Sequence, residues 1–443
     1  MTEIITSRFQ GLSDVDYIKS KIEVCPPALD GLESNSPQVA SEVLRSALNK
    51  IFVSTPFVIG FLQEILGVAQ LYCQSQFGSE LDYIRGIYSP EQRAFNVESE
   101  IEPFCLTGLA GVGKSEAIQA YFRLVSGPVG MSTEHFLEEQ KIVPYWYVSA
   151  RGKTSGKQIL LDFLNEQSSR TNLGTLLSLC QSRAHRFGVP VVILDETQFI
   201  AKGDGAAKSV DILLTLAAIG PPMIYASNFS LLHKLKRCNQ EDAQRIFAKV
   251  RIMAPDELNS ESWLKYMSEC SRVANGRLDI NEDVSRELYI QTFGIKRLVI
   301  RLLSFAYFEA RLSGRSRVSV DDVVKASLSA SYTINREDVK LLKTLAATGY
   351  MPGRFRPDLV CPVAAPSTYM ANVVSAFREK RALQMETKVV EASLTVAERS
   401  TLKSSAPDGG KKKIKSPVRT ITPKASDEEL AANFMALMPK PKK

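Results

Sequence analysis

The sequence is poor in the residue types that build disulfide and zinc sites. Among its 443 residues there are only three histidines, and its seven cysteines form no CxxC pair. An odd number of scattered cysteines indicates neither a disulfide framework nor a cysteine-rich zinc site. If a metal ion binds, we expect Mg²⁺ held by oxygen atoms.

Long uninterrupted apolar runs are also missing. The longest, FVIGFLQEILGVA from Phe57, contains Gln63 and Glu64, so it is predicted to be a buried helix rather than a membrane span. The N-terminal segment MTEIITSRFQ holds no apolar stretch of the kind that secretory signals need. We therefore expect a cytoplasmic protein without a membrane partner.

The body of the chain has little excess positive charge. The net charge is +7, but the segment from Lys403 onward holds ten lysines or arginines against four acidic residues. Any contact with nucleic acid must therefore use local patches or this tail, residues 403–443. The tail is rich in Pro, Gly and Ser, so we expect it to be disordered. Its apolar island, EELAANFMALM, either folds as a short helix on a partner or stays solvated.

Alternating strand and helix patterns mark the middle of the chain. Apolar runs of strand length, such as PFCLT and VPVVILDE, are separated by amphipathic helical segments. That alternation predicts an α/β fold with a parallel sheet flanked by helices. The expected layout is a helical N-terminal, partner-binding region over 1–100, an α/β core over 101–255, a helical lid over 256–335, a C-terminal extension over 336–402 and the tail over 403–443.

A glycine-rich segment, CLTGLAGVGKSEAIQAYFRLV from Cys105, joins a strand pattern to a helix pattern. Gly108, Gly113, Lys114 and Ser115 fit the pattern GxxxxGK[ST], whose glycines let backbone N–H groups surround phosphate oxygens. A plain glycine-rich turn is the alternative, but the strand before and the helix after favour phosphate binding. The residues expected to bind a nucleotide are Gly108, Gly111, Gly113, Lys114, Ser115, Glu116 and Asp195.

Polar residues end two further predicted strands. Asp195 and Glu196 follow VVIL, and Asn228 ends MIYASN. We expect Asp195 to hold Mg²⁺ together with Ser115, and Glu196 to polarise an attacking water, with an ordinary acidic turn after the strand as the alternative. Asn228 would orient the same water or sense the γ-phosphate, with an ordinary turn asparagine as the alternative. This set predicts hydrolysis of ATP rather than phosphoryl transfer to a second substrate.

Three segments resemble the AAA+ ATPases of the TnsC/TniB type, the target-selecting regulators of transposons, which are distantly similar to MuB and IstB. They are LDETQFI from Leu194, IYASN from Ile224 and FGIKRLVIRLL from Phe293. The resemblance covers roughly residues 50–330 and implies an AAA+ P-loop core with a helical lid. The run from Ala226 to Asn228 departs from the commoner Gly-Thr-Asn but keeps the asparagine.

The same resemblance implies two arginines at the ATPase site. Members of this family present an arginine three residues after the glycine of the lid helix, which is Arg297 here, with Lys296 as the alternative cation. Their trans-acting arginine precedes the last core strand and corresponds to Arg245, with Arg237 as the fallback and an ordinary surface arginine as the alternative. The residues expected to take part in catalysis are therefore Glu196, Asn228, Arg245 and Arg297.

Assembly into rings or helical filaments on double-stranded DNA is also implied by the resemblance. The segment SARGKTSGKQ occupies the place of the family's DNA-facing residues. The candidates there are Arg151, Lys153, Thr154 and Lys157, and their expected contacts are to phosphates, without sequence preference. A solvated basic loop is the alternative.

The function that the resemblance implies is bacterial DNA transposition. The N-terminal region would meet a target selector of the TnsD/TniQ type, and the tail a transposase and partner nuclease of the TnsB/TnsA type. An AAA+ replication initiator or helicase loader shares the nucleotide motifs but usually carries a DNA-reading domain, for which residues 336–385 are short. A scaffold that binds ATP and rarely hydrolyses it is the third reading.

Overall fold

The computed structural model describes residues 3–88, 102–132, 136, 138–167, 170–200 and 205–363. The predicted disordered tail, its apolar island and the extension beyond residue 363 lie outside the described residues. The helices are α1 Glu3–Thr6, α2 Val15–Ile22, α3 Pro37–Leu48, α4 Pro56–Gln76, α5 Glu80–Tyr88, α6 Lys114–Leu124, α7 Gly156–Phe163, α8 Leu173–Arg186, α9 Ala206–Ala217, α10 Phe229–Leu235, α11 Gln240–Ile246, α12 Glu261–Val273, α13 Glu282–Thr292, α14 Lys296–Leu312, α15 Val320–Leu328 and α16 Thr333–Thr348. The strands are β1 Phe104–Gly108, β2 Val129–Met131, β3 Gln140–Ile142, β4 Trp146–Ser149, β5 Val192–Asp195, β6 Met223–Asn228 and β7 Lys249–Met253.

Five strands form one parallel sheet in the order β4-β5-β6-β1-β7, and β2 and β3 form a separate antiparallel pair. In the register of the sheet, Gly108 lies opposite both Asn228 and Met253, and Ser149 lies opposite Asp195. The carboxyl ends of the strands therefore meet at one edge, which is where open α/β sheets bind ligands. The predicted parallel sheet flanked by helices is confirmed.

Both faces of this sheet are covered, because successive side chains of a strand point to opposite faces. Phe104 and Leu106 of β1 join an apolar cluster with α1, α2, α4 and α6, whereas Cys105 joins a second cluster with α7 to α10. Ile193 and Leu194 of β5 divide between the same two clusters. Burial on both faces explains why these strands are continuous apolar runs in the sequence.

Helix α4 is the one described helix that is long and apolar enough to cross a membrane, by length and composition alone. Its first turn begins at Pro56, and the Thr55 side chain caps it by accepting a hydrogen bond from the Val58 N–H. Side chains such as Leu62 and Leu66 are fully buried in the first apolar cluster. The prediction of a buried helix is confirmed.

The lid consists of α12 to α15, in the segment where the sequence predicts a helical lid, followed by α16. A capping box begins α15: the Ser319 and Asp322 side chains each bond the other's backbone N–H. Arg315 also pairs with the buried Asp322 carboxylate. Helix α16 runs across the predicted end of the lid at residue 335.

The N-terminal helices divide between the core and the lid. Helices α1, α2 and α4 pack in the core cluster, whereas Leu44 and Leu48 of α3 pack with Leu303 of α14 in the lid. Lid residue Arg277 holds Glu33 in a salt bridge of 2.7 Å. The chain therefore crosses from the lid back to the core between α3 and α4.

The segment after α16, residues 350–363, returns from the lid to the core. Arg356 pairs with Asp338 of α16 at 3.1 Å, and Val360 O lies 2.9 Å from His233 Nε2 on α10. Leu359 packs in an apolar cluster that contains residues of the lid and of α10. This segment connects the lid to the helix that directly follows β6.

Candidate nucleotide site

A cavity of about 630 Å³ lies at the carboxyl edge of the sheet, between the core and the lid. Its polar wall brings together residues from the P-loop, from the ends of β5 and β6, and from the start of α14. They are Lys114, Ser115, Glu116, Arg151, Asp195, Glu196, Gln198, Asn228, Lys296 and Arg297. Six of the seven sequence-predicted nucleotide residues thus line one space, and Gly108 is the one that does not.

The P-loop fits closely against its neighbours at two glycines. A Cβ at Gly108 would lie 2.4 Å from the carbonyl oxygen of Met253. A Cβ at Gly111, whose φ is +83°, would lie 2.7 Å from Arg297 Cβ. Only glycine allows both the backbone turn and these approaches. The loop then leads directly into α6, whose free N–H groups and positive dipole end favour an anion.

Two cations converge in the cavity. Lys114 is only 9% exposed, and its Nζ donates to the carbonyl oxygens of Gly108 and Leu109 at 2.9 Å. Burial and, to a smaller extent, the nearby Arg297 guanidinium lower the pKa of Lys114 to about 8, against the opposing effect of Asp195. A buried ammonium beside a guanidinium is a site that an anion stabilises.

The shifted pKa of Lys114 predicts a pH dependence of nucleotide binding. The free protein loses this proton near pH 8, whereas a bound phosphate would retain it. We expect nucleotide affinity, measured by fluorescence titration, to fall above about pH 8 by up to about tenfold per pH unit. The ordinary pKa of this lysine is 10.5, so between about pH 8 and pH 10.5 the unfolded chain binds more protons than the folded chain. The free energy of unfolding should therefore rise with pH over this range. Arg297→Met should move the midpoint of the binding profile upward, and a flat profile would contradict the assignment.

The acidic end of β5 has a constrained backbone. Glu196 adopts φ +55°, a left-handed conformation that costs a non-glycine residue roughly 1–3 kcal/mol. The backbone N–H of Glu196 donates to Asp195 Oδ1 at 2.7 Å, and Ser149 Oγ donates to Glu196 Oε2 at 3.3 Å. The same Ser149 oxygen accepts from the Arg151 N–H at 3.3 Å. The Glu196 carboxylate is therefore connected to the loop after β4.

The donor set at this edge fits Mg²⁺. Asp195 is only 6% exposed and lines the cavity together with the Ser115 hydroxyl. Both offer oxygen atoms, which Mg²⁺ prefers, beside the cations that would hold a phosphate. When bound, the ion would neutralise charge on the phosphates, and Ser115 and Asp195 are the residues that would hold it.

An apolar end of the cavity was not predicted from the sequence. It is formed by the crossing between α3 and α4, the end of β7 and two lid helices: Asn49, Ile51, Phe52, Val58, Met253, Tyr266 and Ile300. Its flat, apolar side chains suit a nucleotide base. The only sequence signal was the apolar run before α4, which does not differ from any other core segment.

The arginine predicted to act in trans lies away from the cavity. Arg245 is on the surface of α11, its side chain is 43% exposed, and it pairs with Glu241 one turn away at 2.9 Å. It does not belong to the residues that line the cavity of its own chain. Arg237, the fallback, is also exposed, just beyond α10.

The predicted DNA-facing residues have different surroundings. Arg151 is exposed and lines the nucleotide cavity, whereas Lys153 forms a salt bridge of 2.6 Å with Asp162. The Thr154 N–H donates to the Gln158 side chain at 2.8 Å, next to the start of α7. Lys157 lies half-buried in the first turn of that helix. The four residues therefore lie in one loop and at the start of α7, but their side chains have different environments.

The fold and the site together define a parallel α/β protein with a P-loop between β1 and α6 and a helical lid, which is the architecture expected from the sequence. No family model matches the sequence. A search of the curated proteins also found no match.

Solved structures of AAA+ proteins are similar to the chain at low identity. Cdc6p from Pyrobaculum aerophilum is 15% identical over 68% of this chain and 85% of its own, with a TM-score of 0.37. The ORC1 protein of Aeropyrum pernix, solved in complex with DNA, is 17% identical over 69% and 82%, with a TM-score of 0.38. The RuvB Holliday junction branch migration motor of Thermotoga maritima is 11% identical over 60% and 76%, with a TM-score of 0.32. These values are too low to carry a functional inference, which must come from the residues of the site.

Proposed function

We propose that this chain is an ATP-dependent, DNA-binding AAA+ ATPase that assembles on target DNA in the ATP state. The observation that carries the proposal is the cavity in which Lys114 and Arg297 converge beside Asp195 and Glu196. Hydrolysis of a triphosphate needs cations that bind the phosphates, an acid that holds Mg²⁺ and a second acid that orients the attacking water. Asn228, opposite Gly108 in the sheet, lines the same space.

The base is proposed to be adenine. This assignment follows from the resemblance of the motifs to the AAA+ ATPases, and the side chains proposed to contact the base include Phe52 and Tyr266. Asn49 is the polar side chain at the apolar end of the cavity. ATP and Mg²⁺ are therefore the proposed cofactors.

Hydrolysis is proposed to respond to DNA. Ser149 contacts both Glu196 and the backbone of Arg151, so a duplex that moves the loop after β4 would change the position of the Glu196 carboxylate. Arg151, Lys153, Thr154 and Lys157 are the proposed phosphate contacts. A few weak contacts per subunit, repeated along an assembly, become strong through avidity.

The proposed role is in DNA transposition, between a target selector and a transposase with its nuclease, in the bacterial cytoplasm. Support comes from the resemblance of the motifs at Leu194, Ile224 and Phe293 to the TnsC/TniB type. The N-terminal region is proposed to contact the selector and the C-terminal tail the transposase. An initiator would instead prefer one DNA sequence, so competition with random-sequence duplex separates the two functions.

Lys114→Ala tests the proposal. Loss of an ammonium that hydrogen-bonds phosphate should weaken ATP binding by roughly 10- to 150-fold and remove ATP-dependent assembly on duplex DNA. Assembly is followed by electron microscopy with a slowly hydrolysed ATP analogue, and binding by fluorescence titration. Lys325→Ala, at an exposed lysine of the lid, is the matched control. Assembly of Lys114→Ala on DNA as efficient as that of the wild type would refute the ATP-gated function.

A further inference from the structure

The two cations at the start of α14 have different partners. Lys296 Nζ lies 3.4 Å from Asp256 Oδ2 and 5.4 Å from the centre of the Tyr266 ring. The side chains of Lys296 and Asp256 are only 17% and 8% exposed. Arg297 pairs with no acid within the described part of the chain, is exposed, and lines the cavity close to Lys114.

Asp256 lies in the connection between β7 and the lid, directly against the start of α14. A Cβ at Gly294 would lie 2.7 Å from the Asp256 carbonyl oxygen and 3.4 Å from Pro255 Cβ. Gly294 also has φ +69°, so a larger residue is excluded by conformation as well as by space. The residues at the start of α14 therefore pack against the segment that carries Asp256.

Both side chains line the cavity, but successive residues of an α-helix point about 100° apart, so the two cations approach it from different directions. With Lys296 held at Asp256, the next residue faces the P-loop. The backbone N–H of Arg297 donates to the Gly111 carbonyl oxygen at 3.2 Å, and Arg297 Cβ approaches the same glycine. The rotational position of α14 thus directs Arg297 toward the space above Lys114.

The pair is difficult to separate. Asp256 Oδ2 is buried and accepts no hydrogen bond from any residue that the structure describes, and Lys296 is its ion-pair partner. Removing Lys296 toward a ligand would leave a buried carboxylate unpaired, which is more costly than breaking an exposed salt bridge. Lys296 therefore stays paired with Asp256 when a nucleotide enters. The connection between β7 and the lid, which carries Asp256, is called the hinge below.

We propose that Asp256 is a positioning residue of the nucleotide site: by retaining Lys296 at the hinge, it makes Arg297 the cation that contacts the γ-phosphate. This inference rests on the proposed function, since it assumes that the cavity binds a nucleoside triphosphate. It also explains why the chain carries two adjacent cations of which one is committed to an acid.

The experiment measures the preference for ATP over ADP in the full-length chain, by fluorescence titration of each nucleotide. We expect Arg297→Met to lower this preference by at least about tenfold, the loss of one charge-assisted hydrogen bond to the γ-phosphate. Asp256→Asn should lower it as well. The double variant Asp256→Asn with Arg297→Met should be no worse than Arg297→Met alone, because Asp256 acts only through Arg297.

The matched control is Glu23→Gln, which breaks a lid salt bridge of 2.7 Å with Lys265 that does not line the cavity. It should leave the ATP preference unchanged, which separates positioning from a general loss of lid stability. Thermal unfolding of every variant identifies any that fails to fold. In that case Lys296→Met, alone and with Arg297→Met, provides the same comparison.

Three results would overturn the inference while nucleotide binding itself stands. They are a wild type without preference for ATP, an Asp256→Asn variant with the wild-type preference, and a double variant in which the two losses multiply. A larger loss of preference in Lys296→Met than in Arg297→Met would also overturn it, since Lys296 would then be the phosphate-sensing cation. Failure of the wild type to bind either nucleotide would instead refute the proposed function together with this inference.

Discussion

Arg245→Ala is expected to lower DNA-stimulated ATP turnover by about 10³- to 10⁵-fold, the contribution of an arginine supplied in trans. Arg245 lies on the surface of α11 and does not line the cavity of its own chain, so any contact with a nucleotide would be made in a neighbouring copy. Its salt bridge to Glu241 is exposed, and such pairs are weak enough to exchange for a phosphate on a neighbouring copy. ATP binding by the variant, measured by titration, should stay close to that of the wild type.

A mixing experiment makes the Arg245 prediction specific. The Arg245→Ala chain retains a complete nucleotide cavity, and the Glu196→Gln chain, which should still bind ATP and assemble, retains its surface arginine. Mixed on duplex DNA, the two inactive chains should recover part of the turnover, because one supplies the site and the other the arginine. Arg237→Ala is the matched control, an exposed arginine nearby in the sequence. If Arg237→Ala loses activity and Arg245→Ala does not, the assignment belongs to Arg237.

Glu196→Gln is the second large effect, with an expected fall in turnover of about 10²- to 10⁴-fold, as for loss of a general base. Glutamine preserves the size of the side chain and the hydrogen bond from Ser149, so ATP binding should persist. The variant should therefore stay assembled on DNA with ATP for longer than the wild type, which electron microscopy and phosphate release measure together. Glu166→Gln, at a surface salt bridge with Arg183, is the control.

The Glu196→Gln result also separates the proposed ATPase from a nucleotide-gated scaffold. A scaffold would show the same low phosphate release in the wild type and in the variant, with equal assembly lifetimes. A variant that hydrolyses ATP at the wild-type rate would remove Glu196 from the mechanism. Without DNA, the Ser149→Ala variant should change turnover far less, since it leaves the carboxylate in place, but it should reduce the stimulation by DNA.

Much of the fold was predictable because its signals are local. The run ending at Asp195 is continuous and apolar because β5 is buried on both faces, and this pattern is visible without the structure. The GxxxxGK[ST] pattern indicated a strand, a loop and a helix start, and β1, the P-loop and α6 follow in that order. The capping box at Ser319 likewise depends on residues three apart.

Some parts of the structure were less visible in the sequence because their signal is weak or distributed. The β2–β3 pair consists of three-residue strands, too short for a periodic pattern. Helix α16 spans residue 335, where the sequence places the boundary between the lid and the C-terminal extension. The attachment of α3 to the lid, through Leu44 and Leu48, depends on residues about 250 positions away.

By itself, the sequence determined the glycine-rich loop, the acidic strand end and the α/β class, because each depends on residue types at short, fixed spacings. The tertiary structure decided which residues complete the cavity, since Phe52, Tyr266 and Ile300 meet there from distant segments. It also gave Lys296 and Arg297 different surroundings, although they are adjacent in the chain. That difference arises because the start of α14 packs against the connection that carries Asp256. Gly294 and Asp256 are far apart in the chain, so no local sequence pattern predicts this contact.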